Sequence, residues 1–357
     1  MDKKILNILK KLEKYGYKAY IVGGFVRDYI LGIESNDIDI CTNALPKDVI
    51  NILKLDKTTK DNYGSVNIRT KKYNIDITTF RKESEYINHR PKSISYIKDI
   101  KEDLKRRDFT INTLLMNSNE EILDYYNALE DINNKKIKCI INTHDKLSED
   151  PLRILRALRL SIIYDFKIDD EILDFIKNNK SIIKEISYFR RKEELDKILI
   201  SKNRIKGLNL LKKLNLLKVL EINFNNVKDT NDIIGIYSQI NFCEKYPFTK
   251  NEQDLIKKIK EVIKQGSITI ETLYKYGLYI NLVAGNILDI DNITINKMYN
   301  ALPIKSRKDI KINTQSIVKL NNNCYNNINE IYELIEDNIL KGILNNKNKD
   351  IIKFLRK

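Results

Sequence analysis

A chain of 357 residues is too long for one small core, so two or more domains are expected. Its 64 Lys and Arg against 49 Asp and Glu give a net charge of +15, which favours a polyanionic partner. A lysine-rich proteome from an AT-rich genome would give the same excess. With only four scattered cysteines and two histidines, the composition argues against a disulfide framework and against a zinc or histidine-based metal site.

The start of the chain shows no signal peptide, and no apolar run is long enough to span a bilayer. A cytoplasmic protein without membrane contact is therefore expected. We expect it to act as a monomer or a weak dimer.

The first 140 residues mix short helices and strands. The apolar pattern predicts an amphipathic helix over Asp2–Tyr15 and another helix over Pro46–Leu53. Four strands are predicted in this part, at Ala19–Val22, Ile38–Cys41, Val66–Arg69 and Ile75–Phe80. The segment Ser84–Ile97 has no clear period and is interpreted as a long surface loop.

Beyond about residue 141 the pattern is almost entirely helical. Apolar residues recur there at spacings of three to four, for example at Ile328, Ile331, Ile335 and Ile339. The sequence therefore predicts an α/β head followed by a helical region.

A pair of glycines follows the first predicted strand. Gly23 and Gly24 end an apolar run, and a helix opens with Arg27 just after them. Glycines allow backbone N–H groups to approach phosphate oxygens closely, as at other anion-binding helix starts. This stretch therefore predicts a phosphate-binding turn.

Two aspartates lie one residue apart on the second predicted strand. Asp37 and Asp39 point to the same side, because residues i and i+2 of a strand share a face. They are candidate ligands of a metal pair, since two Mg²⁺ ions stabilise the attacking and leaving oxygens of an in-line displacement. Two surface carboxylates would show the same pattern, but the glycine turn upstream favours the metal site. Asp76 on a neighbouring strand is either a third carboxylate of this site or an outward polar residue.

A basic pair, Arg106 and Arg107, is followed by Asp108 and, four residues later, Asn112. The fork of an arginine matches phosphate oxygens in two-point contact, although a basic pair also fits a solvated helix face. Asp108 and Asn112 lie one helical turn apart, so both are candidates for contact with a ribose.

Three arginines, Arg153, Arg156 and Arg159, recur every third residue along one side of a predicted helix. Capping by Asp150 and Pro151 explains where this helix starts, but it does not explain the arginines. Asp150 shares a face with Arg153. A carboxylate accepts from an exocyclic amine and a guanidinium donates to a ring nitrogen or carbonyl, which suits cytosine and adenine but not guanine or uracil. The pair is therefore predicted to select C and A, with a helix cap as the alternative.

Together these motifs resemble one family, the bacterial-type (class II) tRNA nucleotidyltransferases or CCA-adding enzymes, with bacterial poly(A) polymerases as close relatives. The resemblance runs from Tyr20 to about Leu217 and rests on Gly-Gly-Phe-Val-Arg-Asp, Asp-Ile-Asp, Arg-Arg-Asp-Phe-Thr-Ile-Asn and Glu-Asp-Pro-Leu-Arg-Ile-Leu-Arg-Ala. It implies an α+β fold in which a DNA-polymerase-β-like head precedes an all-α neck, body and tail. The implied boundaries are 1–140 for the nucleotidyltransferase head, 141–205 for the neck with its base-reading motif, 206–270 for the body and 271–357 for a tRNA-binding tail.

The resemblance also implies roles for individual residues. The metal and catalytic positions are Asp37 and Asp39. Asp76 is added as a third candidate catalytic carboxylate because of its place on the neighbouring strand. The nucleotide-binding positions are Gly23, Gly24, Arg27, Arg107, Asp108, Asn112, Asp150, Arg153, Arg156 and Arg159. Of these, Gly24 and Arg27 hold the triphosphate, Arg156 and Arg159 flank it, and Asp150 and Arg153 read the base.

The implied activity is metal-dependent addition of C and A to the 3′ end of tRNA, from CTP and ATP and without a template. Mg²⁺ is the expected cofactor, pyrophosphate the by-product, and tRNA, ATP and CTP the partners. A poly(A) polymerase and a split enzyme that adds only A or only CC stay open. A catalytically inactive RNA-binding protein is the alternative of another class. The length of the segment Arg81–Tyr96 resembles that of family members that add the terminal A.

Overall fold

The computed structural model of the chain describes residues 1–55, 64–84, 86–87, 90–320 and 328–356. The chain forms two compact units, Met1–Glu221 and Ile222–Lys357. The finer division into head, neck, body and tail stays a prediction.

The first unit combines a sheet with helices. Its helices and strands in chain order are α1 (Lys3–Lys14), β1 (Ala19–Val22), α2 (Gly24–Ile30), β2 (Asp37–Thr42), α3 (Pro46–Leu53), β3 (Ser65–Arg69), β4 (Asn74–Thr79), β5 (Arg81–Glu83), β6 (Tyr86–Ile87), β7 (Arg90–Pro91), β8 (Ile94–Tyr96), α4 (Ile100–Lys105), β9 (Leu115–Met116), β10 (Ile122–Leu123), α5 (Ala128–Asn133), β11 (Lys136–Ile137), α6 (Thr143–Glu149), α7 (Leu152–Tyr164), β12 (Lys167–Ile168), α8 (Asp170–Asn179), α9 (Tyr188–Ile200), α10 (Arg204–Lys213) and α11 (Leu217–Leu220). Two 3-10 helices, Thr110–Asn112 and Lys180–Glu185, complete it.

A six-stranded mixed sheet with strand order β10-β9-β1-β2-β4-β3 forms the centre of the head. β2 and β4 run parallel, and the other neighbours in this sheet are antiparallel. Asp39 on β2 and Asp76 on β4 are paired in register, so the two lie side by side across the sheet.

β2 alternates between exposed and buried residues. Ile38 and Ile40 are each 1% exposed, whereas Asp37 and Asp39 are exposed. Successive side chains of a strand point to opposite faces, so burial of the isoleucines turns both aspartates to the other face.

The helices and strands predicted for the head are observed with small shifts at their ends. The helix predicted over Asp2–Tyr15 is α1, and Asp2 caps it by accepting a hydrogen bond from the Lys4 amide at 2.9 Å. The helix over Pro46–Leu53 has the predicted bounds. The helix after the glycine pair begins at Gly24 rather than at Arg27.

The prediction of a long irregular loop at Ser84–Ile97 was wrong. β5 pairs with β8 and β6 pairs with β7, both antiparallel, so this segment forms short hairpins. The amide of Ser84 donates to the carbonyl of Ser93 at 3.0 Å between them. Residues 85, 88 and 89 lie outside the described part of the chain. These strands pair through backbone hydrogen bonds, and most residues of the segment are polar. The segment therefore lacks the alternation of apolar residues from which a strand is predicted.

α7 belongs to the first unit and carries the three regularly spaced arginines. Pro151 precedes its first residue, where the fixed φ of proline suits a helix start, and Asp165 ends it with φ 56°. Ile154, Leu155 and Leu158 are fully buried, and the helix packs against α9 and α10.

The second unit is mainly helical. Its elements in chain order are β13 (Ile222–Asn223), α12 (Ile233–Ser238), β14 (Asn241–Phe242), α13 (Lys250–Gln265), α14 (Ile270–Leu288), α15 (Asn292–Asn300), the 3-10 helix Arg307–Asp309, α16 (Thr314–Leu320), α17 (Ile328–Leu340) and α18 (Asn348–Leu355). None of the described helices of the chain combines the length and apolarity needed to cross a membrane.

α14 is interrupted at Gly277, whose φ of 76° and ψ of 178° are not helical and favour glycine. The fully buried Asn281 bridges the interruption, since its amide nitrogen donates to the carbonyls of Thr272 at 2.9 Å and Gly277 at 2.7 Å. These bonds supply partners for buried carbonyl oxygens next to the break.

Candidate active site

A cavity of about 470 Å³ in the first unit brings together most of the residues predicted from the sequence. Its lining consists of Gly23, Gly24, Arg27, Asp39, Arg106, Arg107, Asp108, Asn112, Asp150, Leu152, Arg153, Arg156, Arg159, Leu160, Ile163, Tyr164 and Arg190. It includes all ten positions predicted to bind nucleotide, whereas Asp37 and Asp76 do not line it. Seven arginines against three aspartates make the cavity attractive to an anion.

The glycine turn allows an arginine to approach the start of α2. Gly23 has φ 82°, and its amide donates to the carbonyl of Leu114 at 3.0 Å. A Cβ atom at Gly23 would lie 3.1 Å from Nη1 of Arg107, in a backbone conformation that side chains rarely adopt. Glycine is therefore required here both by the turn and by the contact with Arg107.

Arg27 lies in the wall of the cavity and is 5% exposed. Its Nη1 donates to Oδ1 of Asn112 at 2.5 Å, while Nε and Nη2 donate to Oδ1 of Asp28 at 3.0 and 2.8 Å. The guanidinium is thus fixed by partners on both sides.

Of the carboxylates on β2 and β4, Asp39 lines the cavity, whereas Asp37 and Asp76 do not. Oδ1 of Asp37 accepts a hydrogen bond from Asn74 at 3.0 Å, and Oδ1 of Asp76 accepts one from Asn67. Asp39 is exposed, yet desolvation by the surrounding atoms raises its pKa above the ordinary value. Arg107 opposes this rise, and the charge of Asp76 adds to it. A carboxylate whose ionised form is destabilised in this way gains from a bound cation.

Carboxylate oxygens suit a hard divalent cation. Within the described residues, no group of three His, Cys, Asp or Glu side chains is arranged to hold a metal ion. Asp37 and Asp39 share one face of β2, and their role as metal ligands stays a prediction. A metal role for Asp76 stays a prediction.

Asp108 is buried and fully hydrogen-bonded. Its Oδ2 accepts from Nε of Arg156 at 2.7 Å, and its Oδ1 accepts from Asn112 at 2.9 Å and from the Phe109 amide at 2.8 Å. Burial alone would raise the pKa of Asp108, but the charge of Arg156 and these hydrogen bonds outweigh it and hold the pKa well below its usual range. Asp108 therefore stays ionised and keeps Arg156 in place. Contact of Asp108 and Asn112 with a ribose stays a prediction.

The two arginines of the basic pair have different surroundings. Arg106 forms an ion pair with Asp103, with Nε and Oδ1 2.9 Å apart, and it lies 3.8 Å from Glu83. Nε of Arg107 is buried and has no hydrogen-bond partner in the described part of the chain. A buried donor without a partner costs about 1–3 kcal/mol. Arg107 is therefore the member of the pair that is available to a ligand.

Asp150 lies just before α7, and its contact with a base stays a prediction. Its Oδ1 accepts a hydrogen bond from the amide of Leu152, the first residue of α7, at 3.2 Å, while Pro151 occupies the N-cap position. Its Oδ2 accepts one from Nη2 of Arg190 on α9 at 2.9 Å, which orients the carboxylate in the cavity wall.

Arg153 lies in the same wall but is not bonded to Asp150. It is 6% exposed, and its Nη1 donates to the carbonyl of Lys146 at 2.7 Å and to Oε2 of Glu149 at 2.9 Å. Both residues of the predicted base-reading pair are thus oriented by partners outside the pair.

Arg159 lies one turn beyond Arg156 on α7, and its Nε is 3.2 Å from Oε2 of the buried Glu194 on α9. Burial lowers the pKa of Arg159, and the charge of Glu194 opposes this fall. The ion pair thus offsets the cost of a cation in the cavity wall.

The sequence alone does not single out two polar residues of the cavity. Arg190 lies in the stretch Phe189-Arg190-Arg191 near the start of α9, where the apolar pattern gives no sign of a site. Tyr164 follows Leu160 at helical spacing and is indistinguishable from a core residue in the pattern.

Three family models match successive parts of the chain. Residues 19–138 match the model "Poly A polymerase head domain", residues 165–223 match "Probable RNA and SrmB- binding site of polymerase A", and residues 236–355 match the model of tRNA nucleotidyltransferase domain 2. The head model covers the glycine turn and the carboxylates of β2 and β4, whereas α7 lies between the first and second models.

Curated relatives are similar over nearly the whole chain. The CCA-adding enzyme of Ligilactobacillus salivarius is 31% identical, with 89% of this chain and 86% of the relative covered. The CCA-adding enzyme of Staphylococcus aureus (strain MRSA252) is 30% identical, with 99% and 98% covered. The chain therefore belongs to the family of bacterial-type CCA-adding enzymes.

Solved structures share the fold. The Bacillus stearothermophilus CCA-adding enzyme in complex with CTP matches with a TM-score of 0.86 at 23% identity, over 99% of this chain and 96% of that one. The Thermotoga maritima CCA-adding enzyme complexed with tRNA matches with a TM-score of 0.69 at 21% identity, over 99% and 95%. The expected α+β fold with a polymerase-β-like head is confirmed, as is the tRNA nucleotidyltransferase class. Membership of the family implies the use of a divalent metal.

Proposed function

We propose that this chain adds C and A to the 3′ end of tRNA in the cytoplasm, with CTP and ATP as donors and without a nucleic-acid template. The observation that carries the proposal is one cavity shared by the glycine turn, Asp39 of β2 and the arginines of α7, in a CCA-adding enzyme family member. Related structures contain CTP, ATP or tRNA.

In this reaction the terminal 3′-hydroxyl oxygen of the tRNA attacks the α-phosphorus of the nucleotide. A new bond forms between this oxygen and the α-phosphorus. The bond between the α-phosphorus and the oxygen that bridges it to the β-phosphorus breaks, so pyrophosphate leaves. The hydroxyl proton passes to solvent. Asp37 and Asp39 would hold Mg²⁺, which would supply positive charge for the attacking and leaving oxygens. Asp76, in register with Asp39, is the third carboxylate of the proposed site.

The phosphates bind where the cavity is most basic. Gly23 and Gly24 allow the backbone at the start of α2 to approach them, and Arg27, Arg156 and Arg159 provide the opposing charge. Arg107 contributes its unpartnered buried Nε. The remaining positions, Asp108 and Asn112, hold Arg156 and Arg27 and lie beside the ribose.

Base choice rests on Asp150 and Arg153. The carboxylate accepts from the exocyclic amine of cytosine or adenine, and the guanidinium donates to a ring nitrogen or carbonyl. Arg190 and Glu149 hold the two side chains in place before the nucleotide arrives, which lowers the ordering cost of binding.

The test is incubation of the protein with a tRNA transcript that ends before CCA, with each labelled nucleotide supplied in turn and then together. We expect incorporation from CTP first, addition of one A once two C residues are present, and none from UTP or GTP. Products that stop at CC, or addition of A only to a tRNA that already ends in CC, would indicate a split enzyme. Long A tails on other RNAs would indicate a poly(A) polymerase, and tRNA binding without incorporation an inactive RNA-binding protein.

A further inference from the structure

Tyr164, the last residue of α7, contacts Arg27 in the lining of the cavity. Its hydroxyl accepts a hydrogen bond from Nη2 of Arg27 at 2.5 Å and donates one to Oδ1 of Asp28 at 2.8 Å. The guanidinium carbon of Arg27 also lies 4.3 Å from the centre of the Tyr164 ring. Both the hydroxyl and the ring of Tyr164 therefore touch a residue 137 positions earlier in the chain.

These contacts fix the direction of the Arg27 side chain. An arginine carries five N–H donors. Hydrogen bonds to Asn112, Asp28 and Tyr164 engage Nε, both hydrogens of Nη2 and one hydrogen of Nη1. Arg27 is only 5% exposed, so these hydrogen bonds, and not solvent, hold its guanidinium in one orientation. That orientation also sets the direction of the second Nη1 hydrogen.

The hydroxyl of Tyr164 keeps its proton at neutral pH. Burial raises the pKa of Tyr164 to about 12, the charge of Arg27 opposes the rise, and Asp28 adds to it. The phenol therefore donates to Asp28 while it accepts from Arg27, and this arrangement holds throughout the neutral range.

We propose that Tyr164 is a positioning residue for Arg27, and through Arg27 for the triphosphate of the incoming nucleotide. The inference rests on the proposed function, in which Arg27 holds that triphosphate. It gives α7 two tasks, since Arg153 near its start reads the base and Tyr164 at its end supports the phosphate site. CTP and ATP carry the same triphosphate, so Tyr164 contributes equally to both and does not contribute to base choice.

The test compares nucleotide affinities of the full-length protein by equilibrium titration with CTP, ATP and CMP. Tyr164→Phe keeps the ring and removes the hydroxyl, so the affinities for CTP and ATP should both fall by the same factor, about three- to tenfold. The affinity for CMP, which lacks the β- and γ-phosphates, should stay unchanged. In tRNA extension, KM for both nucleotides should rise more than kcat falls, and the preference for CTP over UTP should not move. Tyr164→Leu removes the ring as well and should weaken CTP binding further.

Tyr126→Phe is the matched control, because the Tyr126 hydroxyl donates to the carbonyl of Lys101 at 2.9 Å and does not line the cavity. It should leave all three affinities unchanged. In a protein that already carries Arg27→Gln, the change Tyr164→Phe should cause no further loss of CTP affinity.

Two results would overturn the proposal and leave Tyr164 as a structural residue. One is that Tyr164→Phe weakens the binding of CMP and CTP by the same factor. The other is that Tyr164→Phe weakens CTP binding as much in the Arg27→Gln protein as in the wild type. The ratio of CTP to CMP affinity is measured on one preparation, so partial misfolding does not imitate the expected result. A wild-type protein that binds CTP and ATP but never extends tRNA would instead refute the proposed function, while the affinity ratios would still test Tyr164.

Discussion

The two units of the chain bury different kinds of side chains. In the first unit several charged residues around the cavity are less than 9% exposed, among them Arg27, Asp28, Asp108, Arg153 and Glu194. Among the described residues of the second unit, Glu336 is the one charged side chain with comparable burial, and it forms an ion pair with Arg307. Uncharged residues make up the rest of that interior, mainly apolar clusters that include Leu273 and Ile335, together with a few buried polar side chains such as Asn281.

This difference separates the residues that serve chemistry from those that serve stability. Buried charges are costly and persist only where ion pairs and hydrogen bonds compensate them. The first unit accepts that cost in order to hold arginines around a cavity, whereas the second unit is stabilised by apolar packing. Substitutions in the first unit should therefore change the reaction, and substitutions in the second should change stability or affinity for RNA.

The largest effect is expected at the carboxylates of β2. Asp39→Ala or Asp37→Ala should reduce nucleotide incorporation by at least about a thousandfold, because the metal charge at the reacting oxygens is lost. Affinity for tRNA should remain nearly unchanged, since RNA contacts are mostly with phosphates elsewhere. Single-turnover incorporation at saturating Mg²⁺ is the measurement. Glu336→Gln in the second unit is the control, and incorporation by the folded protein should survive it.

Substantial incorporation by Asp39→Ala would contradict the metal assignment. Asp76→Ala is a sharper case, because Asp76 is in register with Asp39 but does not line the cavity. We expect a large loss there too, and wild-type activity would remove Asp76 from the site.

The next effect concerns stability in acid. The pKa of Asp108 is held below its ordinary value, so its ion pair stabilises the fold fully above about pH 4 and loses that contribution as the pH falls further. Asp108→Asn should lower the free energy of unfolding at pH 7 by about 3 kcal/mol, because Arg156 loses its partner. Urea unfolding between pH 7 and pH 3 is the measurement, and the variant should lose less stability than the wild type over this range. An equally steep loss in the variant would show that other carboxylates govern acid unfolding.

Base choice should change by about tenfold. Asp150→Asn offers an amide donor where the carboxylate accepted, so the preference for CTP over UTP should fall by about that factor, in line with roughly 1–3 kcal/mol for one paired contact. Incorporation of each nucleotide in competition measures it. Ser148→Ala, in α6 and outside the cavity lining, is the control and should not alter the preference. A lower rate with unchanged preference would leave Asp150 as a helix cap only.

The smallest effect is expected from surface lysines of the second unit. Ile222–Lys357 contains 20 Lys and Arg against 15 Asp and Glu, and Lys257 and Lys264 of α13 are exposed. Lys257→Gln and Lys264→Gln together should weaken tRNA binding a few-fold and reduce the slope of log affinity against log salt by roughly one per lost contact. Fluorescence anisotropy at several salt concentrations measures this. If Lys10→Gln and Lys14→Gln on α1 cause a larger loss, the RNA surface belongs to the first unit instead.

Several features of the site follow from local sequence. The alternation of Asp37-Ile-Asp39 places both carboxylates on one face because the side-chain period of a strand is two. The turn at Gly23 follows from the conformations that only glycine adopts readily, and Pro46 marks the start of α3 at the predicted residue. Such features depend on neighbours in the chain, so the pattern alone predicts them.

The sequence by itself thus determined the strand that carries the aspartates, the glycine turn and the helix with its arginines. Only the tertiary structure decided that Asp108 binds Arg156, that Arg190 binds Asp150 and that Tyr164 binds Arg27, across 48, 40 and 137 residues of chain. It also decided that the segment after β5 pairs into hairpins. Contacts at such separations depend on how the whole chain closes around its core, and neither residue of a pair has a local preference for its partner.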